Sequence, residues 1–591
     1  MLNDSVILDI EVYPNYFLAG FKSLRTGKVV TVESSTVVTK EQTKKLNSIL
    51  STKKTVGFNS WKYDMPLLHW IIENNPSVEK IYQMSKDIVE GGRKVHTLYN
   101  IYENPKGYDH IDISEPAPAV MVSLKGYGAR IGSKTLWDLP YDPHKHLTTS
   151  EMEIVAKYNV NDLDTTIDLF NEIYPRLELR EKMTEQYGID LMSKSDAQIA
   201  EAVFVSELNY SGGVPQLTNN YSIKYSAPSC LEYKNADLEN LLTQILNFEF
   251  RVGKNGSVEI PKSLANTKIV IGDTTYKIGI GGLHSQEKKL VVKSDKHRVL
   301  RNADVASYYP SMILEYKWFP KQFGEKFLAV YRNIYETRLE AKRKGDKVVD
   351  GSLKIVLNGS FGKLGSKYSK LYSPDLMLHV TLTGQLLLLM LIERLESYNI
   401  QVVSSNTDGV EYLCPRDKVD LAKSIILDWE IETGMTMEHG EYKALYARDV
   451  NNYVAIYEDE PKAKGIFTKQ TLMKGRQCPI VFTAIRKYLF DGTRLEDTLH
   501  NEKDINNFVL SRTVRGGGVF NDTYLGKMVR WYWSNSDDAT TINYSTNGNK
   551  VPLSDGCKPI MKFTSFPDDL DYDRYLQYAI ENLNTMGVEY A

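Results

Sequence analysis

Four cysteines, Cys230, Cys414, Cys478 and Cys557, are scattered through 591 residues, and no two form a Cys-x-x-Cys pair. That spacing argues against a zinc site and against a disulfide framework, and it fits a reducing compartment. Long apolar runs are also missing. The longest, Leu386 to Ile392, falls far short of the roughly 20 residues that cross a bilayer. The first residues carry Asp4 and no basic stretch ahead of an apolar segment, so no secretory leader is expected. Neither sign of charge dominates: 72 Lys and Arg stand against 75 Asp and Glu, a net charge of −3. Low-complexity tracts and short repeats are absent as well. What remains is an ordinary globular composition, 42% hydrophobic and 25% charged, in a chain long enough for several domains.

Local pattern is more informative than the totals. To about residue 190, strand-like runs such as VILDIEVY and KTVGFN alternate with helical patterns, which predicts an α/β domain. Residues 191–300 are mixed. From about 300 to 450 the order is strand, long helix, helix and hairpin, and beyond about 455 the chain is rich in Tyr, Trp and Gly. Basic residues gather between Lys288 and Arg298 and between Arg338 and Lys347. A phosphate backbone responds to local patches of this kind rather than to net charge, although a solvated surface is the plainer account of each taken alone.

Three acidic motifs stand in the first part. Asp9 and Glu11 lie at i and i+2 in SVILDIEVY and share one face of a strand. Two carboxylates inside an apolar run are costly unless a cation pairs with them, and a divalent ion would do so; an acidic strand edge is the alternative. GFNSWKYD then carries Asn59, Tyr63 and Asp64, and KYNVNDLD carries Tyr158 and Asp162 at i and i+4, one face of a helix. In this order the motifs DxE, Nx₃YD and Yx₃D resemble those of the DEDDy 3′→5′ exonucleases. The resemblance implies that Asp9, Glu11 and Asp162 hold one metal ion and Asp9 a second, with Asp64 acting through water. It also implies that Tyr158 orients the attacking water and that Asn59 helps to hold the primer end.

A second constellation follows. NADVASYYPSMI starts at Asn302 and places Asp304 at the end of a strand, ahead of Tyr308-Tyr309-Pro310-Ser311. LKIVLNGSFGKLG carries Lys354, Asn358, Phe361 and Gly362, with positions 354, 358 and 361 on one helical face. Arg338 and Lys342, again i and i+4, precede it. VVSSNTDGVEYL reads as a β-hairpin around an Asn-Thr-Asp-Gly turn with Asp408 at its tip. These strings resemble the DxxSLYPS, Kx₃NSxYG and DTDS motifs of family B DNA polymerases, most of all those of bacteriophages. Tyr308, Asn406 and Gly409 depart from the pattern, as do Gly359 to Phe361. The resemblance runs from about residue 5 to about 470. It implies that Asp304 and Asp408, with the Val305 carbonyl, hold two Mg²⁺ ions, with Mn²⁺ as a substitute. Tyr309 would pack under the incoming sugar, where a 2′-hydroxyl would clash. Arg338, Lys342, Lys354 and Asn358 would bind the nucleotide.

Two weaker likenesses concern DNA. GIGGLHSQE (Gly279 to Glu287) resembles the family's YxGG element, and Gly281 and Gly282 would let the backbone approach the strand. YARDVNNYVAIY (Tyr446 to Tyr457) resembles the KxY element. Tyr453 matches its tyrosine, Asn451 stands where lysine is usual, and Arg448 or Lys464 would supply the charge. Lys527 and Arg530 to Trp533 suit either a DNA-gripping thumb or a core with a charged edge.

The expected fold is multidomain α/β and α+β: an RNase H-like exonuclease domain at 1–190, then a right-hand polymerase. Residues 191–300 would form a linker and N-terminal palm, 301–324 and 367–455 the palm, 325–366 the fingers, and 456–591 the thumb and C-terminal DNA-gripping region. Expected partners are primer–template DNA and dNTPs, with a separate processivity or helicase protein and no membrane. Only about fifty residues separate Asp304 from Lys354, which leaves no room for a terminal-protein docking domain. The enzyme would be a monomer in the bacterial host cytoplasm. Two other readings stay open. A nuclease with a decayed polymerase half has Asn406 and Asn451 for it and the intact Asp304, Lys354 and Asp408 against it, and Tyr309 argues against an RNA-making, primase-like enzyme.

Overall fold

The run VILDIEVY forms strand β1 (Val6–Tyr13), where its β-branched residues suit a pleated, half-buried surface. The computed structural model describes residues 2–91, 107–119, 121–218 and 220–591. Strand β2 (Tyr16–Ser23) returns antiparallel after a two-residue turn and sets Asp9 opposite Gly20. With β3 (Val29–Ser34), β4 (Thr55–Gly57) and β5 (His110–Asp112) they make a five-stranded sheet of order β3-β2-β1-β4-β5. The β1–β4 and β4–β5 pairs are parallel and the others antiparallel.

Two helices of this unit matter for chemistry. Helix α1 (Leu124–Ile131) starts at Ser123, whose side chain caps the Gly126 N–H. Helix α2 (Thr149–Glu172) begins with a reciprocal Thr148–Glu151 capping box and packs across β1 and β2. That packing needs Gly20, because a Cβ there would collide with the side-chain amide of Asn159.

Residues 2–195 do not complete the first unit, which also contains Gln470–Pro479 and Glu502–Asp571. The second unit is Asp196–Lys469, Ile480–Asn501 and Tyr572–Ala591. The expected single region at 456–591 is therefore divided between the two. The physical reason lies in buried arginines. Arg476 donates to the Arg130 and Ile131 carbonyls at 2.9 and 2.8 Å, groups that the end of α1 leaves without helical partners. Arg530 is fully buried and donates to the carbonyls of Ile560, Ser133, Lys134 and Met561 at 2.5–3.1 Å. Trp531, Tyr532 and Trp533 are buried beside it. This basic-aromatic run is core rather than a DNA grip; only Lys527 of the set is exposed.

In the second unit a four-stranded antiparallel sheet has the order β7 (Gln401–Ser405), β8 (Gly409–Pro415), β6 (Arg298–Val305), β9 (Met437–Tyr442). Helices α7 (Pro374–Ser397) and α8 (Val419–Thr433) pack on it. By length and composition α7 is apolar enough to cross a membrane, yet 83% of its most apolar window is buried in the fold. Its polar interruptions are satisfied locally: Gln385 donates to the Gly279 and Thr381 carbonyls. Between β6 and α7 lie the short helix α4 (Tyr308–Glu315) and a helix pair, α5 (Lys326–Lys344) and α6 (Lys347–Leu364), with Gly345 in the left-handed region at φ 72° and Asp346 capping α6. Helix α3 (Asp196–Glu207) packs on α6.

Arg530→Met should leave several buried carbonyls without a donor. Each costs about 1–3 kcal/mol, so denaturant unfolding should show a loss of at least about 3 kcal/mol. A loss under about 1 kcal/mol would contradict this account of the arginine.

Candidate active sites

In the first unit Asp9 and Glu11 on β1 meet Asp162 on α2, with one carboxylate oxygen from each within 4.8 Å of the other two. Tyr158, one turn before Asp162, is buried in the same place. Asp64 is the first residue of the helix Asp64–Asn74 and is also buried. Burial raises all four carboxyl groups above their ordinary range. For Asp9 the Asp162 charge adds to this and pushes it up to about 8, and Glu11 and Asp64 are raised further by Asp9. One oxygen of Asp162 is buried without a partner. Crowded oxygen donors, mutual repulsion and an orphaned acceptor fit a hard divalent cation such as Mg²⁺ or Mn²⁺.

Three residues that sequence reasoning missed complete this site. Asn159 donates from Nδ2 to Asp9 at 2.9 Å. Lys125 on α1 donates to the Tyr158 hydroxyl, and its ammonium lies 3.7 Å from Asp162. It is the cation that offsets part of the negative charge. An ammonium only donates, so the phenol oxygen accepts from it and the phenol proton points elsewhere. Asp112 accepts from the backbone N–H groups of Asn59 and Trp61 at 2.8 and 3.1 Å. It thereby holds a turn in which Asn59 is exposed at φ 57°.

In the second unit the strand register brings the expected pair together. Asp304 on β6 faces Gly409 on β8, and the Val305 N–H donates to the Asp408 carbonyl at 2.7 Å. The hairpin turn at Asn406–Asp408 leaves Asp408 exposed. The Asp304 carboxylate accepts from Asn302 Nδ2 at 2.6 Å, and its other oxygen occupies the space that a Cβ on Gly409 would need. Glycine at 409 is thus required by the position of Asp304. Burial raises the Asp304 carboxyl and Asp408 raises it further; Asp408, exposed on one side at the turn, is itself raised by partial loss of hydration where the turn packs and lowered by Lys464. Glu411, two residues beyond Gly409, is buried and pushed up to about 8 by burial, Asp304 and Glu287. Its period-2 spacing from Gly409 in an apolar strand was the signal for it. Among the described residues only the first-unit carboxylates form a tight three-acid cluster. The second site has its aspartate pair, with Glu438 directly opposite Asp304.

The other expected residues fall on both sides of the functional reading. Tyr309 packs on Phe361, with ring centroids 4.4 Å apart. Lys354 and Asn358 are exposed together on α6, and Lys354 has no ion pair among the described residues. Arg338 is committed to Asp350 at 3.0 Å and Ser307 at 2.9 Å, and Lys342 pairs with Glu438 at 2.8 Å. Lys464 sits beside Tyr453, its partner in the strand register, and acts on Asp304, Asp408 and Glu411. Arg448 is paired with Asp449, so Lys464 is the cation at this place. Gly281 is exposed, whereas Gly282 is close-packed against Thr407. Packing therefore already accounts for the second glycine. Asn406 donates to the Val450 carbonyl at 2.9 Å and so fastens the hairpin.

In metal-free protein the folded state keeps the Asp9 proton up to about pH 8, against an ordinary 3.8. The native state then binds more protons than the unfolded one, so this group lowers stability as pH rises across that interval. A divalent cation bound among these carboxylates would remove the penalty. The difference in melting temperature between Mg²⁺ and EDTA should widen from about pH 5 to about pH 8, and Asp9→Asn should flatten it. A difference independent of pH, or unchanged by the substitution, would contradict the metal assignment.

No known protein-family model matches the chain. Over 80 residues, 14% of its length, it is 30% identical to DNA polymerase II of Escherichia coli strain K12, and the matched stretch is 10% of that protein. Its fold aligns with the family B DNA polymerase of the hyperthermophilic archaeon Pyrobaculum calidifontis at a TM-score of 0.41 and 13% identity, covering 99% of this chain and 78% of that one.

Proposed function

We propose that the chain is a DNA-directed DNA polymerase of the family B kind that also removes primer ends by 3′→5′ hydrolysis, and that it replicates phage DNA in a bacterial host cytoplasm. One observation carries this reading. In each unit carboxylates named by its own motifs come together: Asp9, Glu11 and Asp162 on β1 and α2 in the first, and Asp304 on β6 beside Asp408 in the hairpin turn in the second. The short likeness to a DNA polymerase supports the same class.

Divalent ions held at the two centres would supply Lewis-acid stabilisation of the phosphate and a lowered pKa for the attacking oxygen. In the first unit Asp9, Glu11 and Asp162 would hold the ion, and Asp64 would act on it through water. Tyr158, with its hydroxyl direction set by Lys125, orients the water that attacks the terminal phosphodiester. Asn59, exposed on its turn, contacts the primer end. In the second unit Asp304 and Asp408 are the ligands. The primer 3′-oxygen attacks the α-phosphorus and pyrophosphate leaves. Lys354 and Lys342 neutralise the charge that builds on the leaving group, Asn358 hydrogen-bonds the same nucleotide, and Arg338 holds the turn at Ser307. Tyr309, braced by Phe361, closes the space that a ribose 2′-hydroxyl would need. Tyr453 and Lys464 hold the primer end, and Lys464 replaces the charge that Asn451 lacks.

A 5′-labelled primer on a longer template should lengthen with Mg²⁺ and four dNTPs and shorten without nucleotides. Asp408→Ala and Gly409→Ala should each cut extension at least roughly 10²-fold while shortening persists, and Asp9→Ala should do the reverse. A wild-type primer that shortens and never lengthens would identify a nuclease with a relic polymerase half. Tyr309→Ala should raise ribonucleotide incorporation relative to deoxyribonucleotides by roughly 10–200-fold; an unchanged ratio would remove the steric role.

A further inference from the structure

In the second unit a cleft of about 750 Å³ opens between the end of α7, helix α8 and the segment before Asn235. Ile271 and Ile425 form its buried apolar floor, and Tyr398 and Ile431 stand exposed at its edge. Helix α8 continues the apolar surface outward: Leu427 and Ile431, one turn apart, are 53% and 72% exposed. Asp428 and Glu432 form a parallel acidic row with the same i, i+4 spacing. The cleft lining holds five carboxylates (Glu232, Glu393, Glu396, Asp428, Glu432) against two cations, Lys234 and Arg394. Arg394 is already paired with Glu432 at 2.6 Å. Glu232 and Asp428 have no ion-pair partner among the described residues. The last turn of α7 adds the negative end of a helix dipole.

An apolar row beside an acidic row has two consequences. A surplus of negative charge repels a phosphate backbone, so this face is not a path for nucleic acid. Its complement is a helix with apolar residues at i and i+4 and Lys or Arg next to them. We propose that this cleft and the adjoining face of α8 form a docking site for a basic amphipathic helix of a partner protein. Apolar anchors of that helix fill the space over Ile271 and Ile425 beside Ile431, and its cations meet Asp428 and Glu232. The site lies wholly within one unit and does not depend on which reaction the enzyme performs.

The test uses the full-length protein and a fluorescein-labelled 18-residue Lys–Leu amphipathic peptide, with a Glu–Leu peptide of the same pattern as counterpart, read by fluorescence anisotropy at physiological salt. The Lys–Leu peptide should bind and the Glu–Leu peptide should not. Ile431→Glu and Asp428→Lys should each weaken binding roughly tenfold or more. Asp420→Lys, on the same helix outside the cleft, should stay within about twofold. Melting temperatures should be unchanged in all three variants. Equal binding by every variant, or no binding by the wild type, would overturn the proposal. So would a wild type that self-associates in sedimentation while Ile431→Glu stays monomeric, since the occupant would then be a second copy of this chain.

Discussion

Carboxylates buried side by side repel one another and lose their hydration, and the structure bears that burden twice. In the first unit burial raises four carboxyl groups above their ordinary range. In the second, two aspartates and a buried glutamate share the end of a sheet. Much of the local structure follows from holding these groups in place. Asn159 and Lys125 donate toward the first set, and Asn302 and Lys464 act on the second. Glycine appears where a carboxylate or its supporting amide takes the space of a side chain, at Gly20 and Gly409. A cluster this unfavourable when ionised and unbound is a good cation site, because the cation removes the repulsion that the fold otherwise has to withstand.

Short-range pattern explains what could be read without coordinates. The i, i+2 spacing of Asp9 and Glu11 on a strand, the i, i+4 spacing of Tyr158 and Asp162 on a helix, and the Asn-Thr-Asp-Gly turn each depend on a few consecutive residues. The structure realises all three. The first unit is mixed α/β as expected, but between the strand of Asp304 and the hairpin, where the pattern predicts a long helix and one more, the chain forms four helices, α4, α5, α6 and α7. Lys125, by contrast, reaches Tyr158 from a different helix 33 positions earlier, and no local signal marks it among the other lysines. Asp112 works through backbone groups of a turn more than fifty residues before it, which is equally silent in the sequence.

The C-terminal region carries little local signal, for a related reason. Arg476 and Arg530 bind carbonyls near residues 130 to 134, at separations of more than 340 positions. Contacts that far apart leave no periodicity, so the sequence of this basic-aromatic run fits a DNA grip and a core equally well, and only the fold decides for the core. Arg338 shows the same ambiguity on a smaller scale: its spacing to Lys342 places both on one helical face, but only the folded chain reveals that Asp350 and Ser307 already engage it.

Two separate cation centres underlie the proposed chemistry, and anomalous diffraction from crystals soaked in Mn²⁺ addresses them directly. Density peaks should lie among Asp9, Glu11 and Asp162 and, separately, between Asp304 and Asp408. Manganese at only one of these places, or at neither while it occupies other sites, would contradict the central claim.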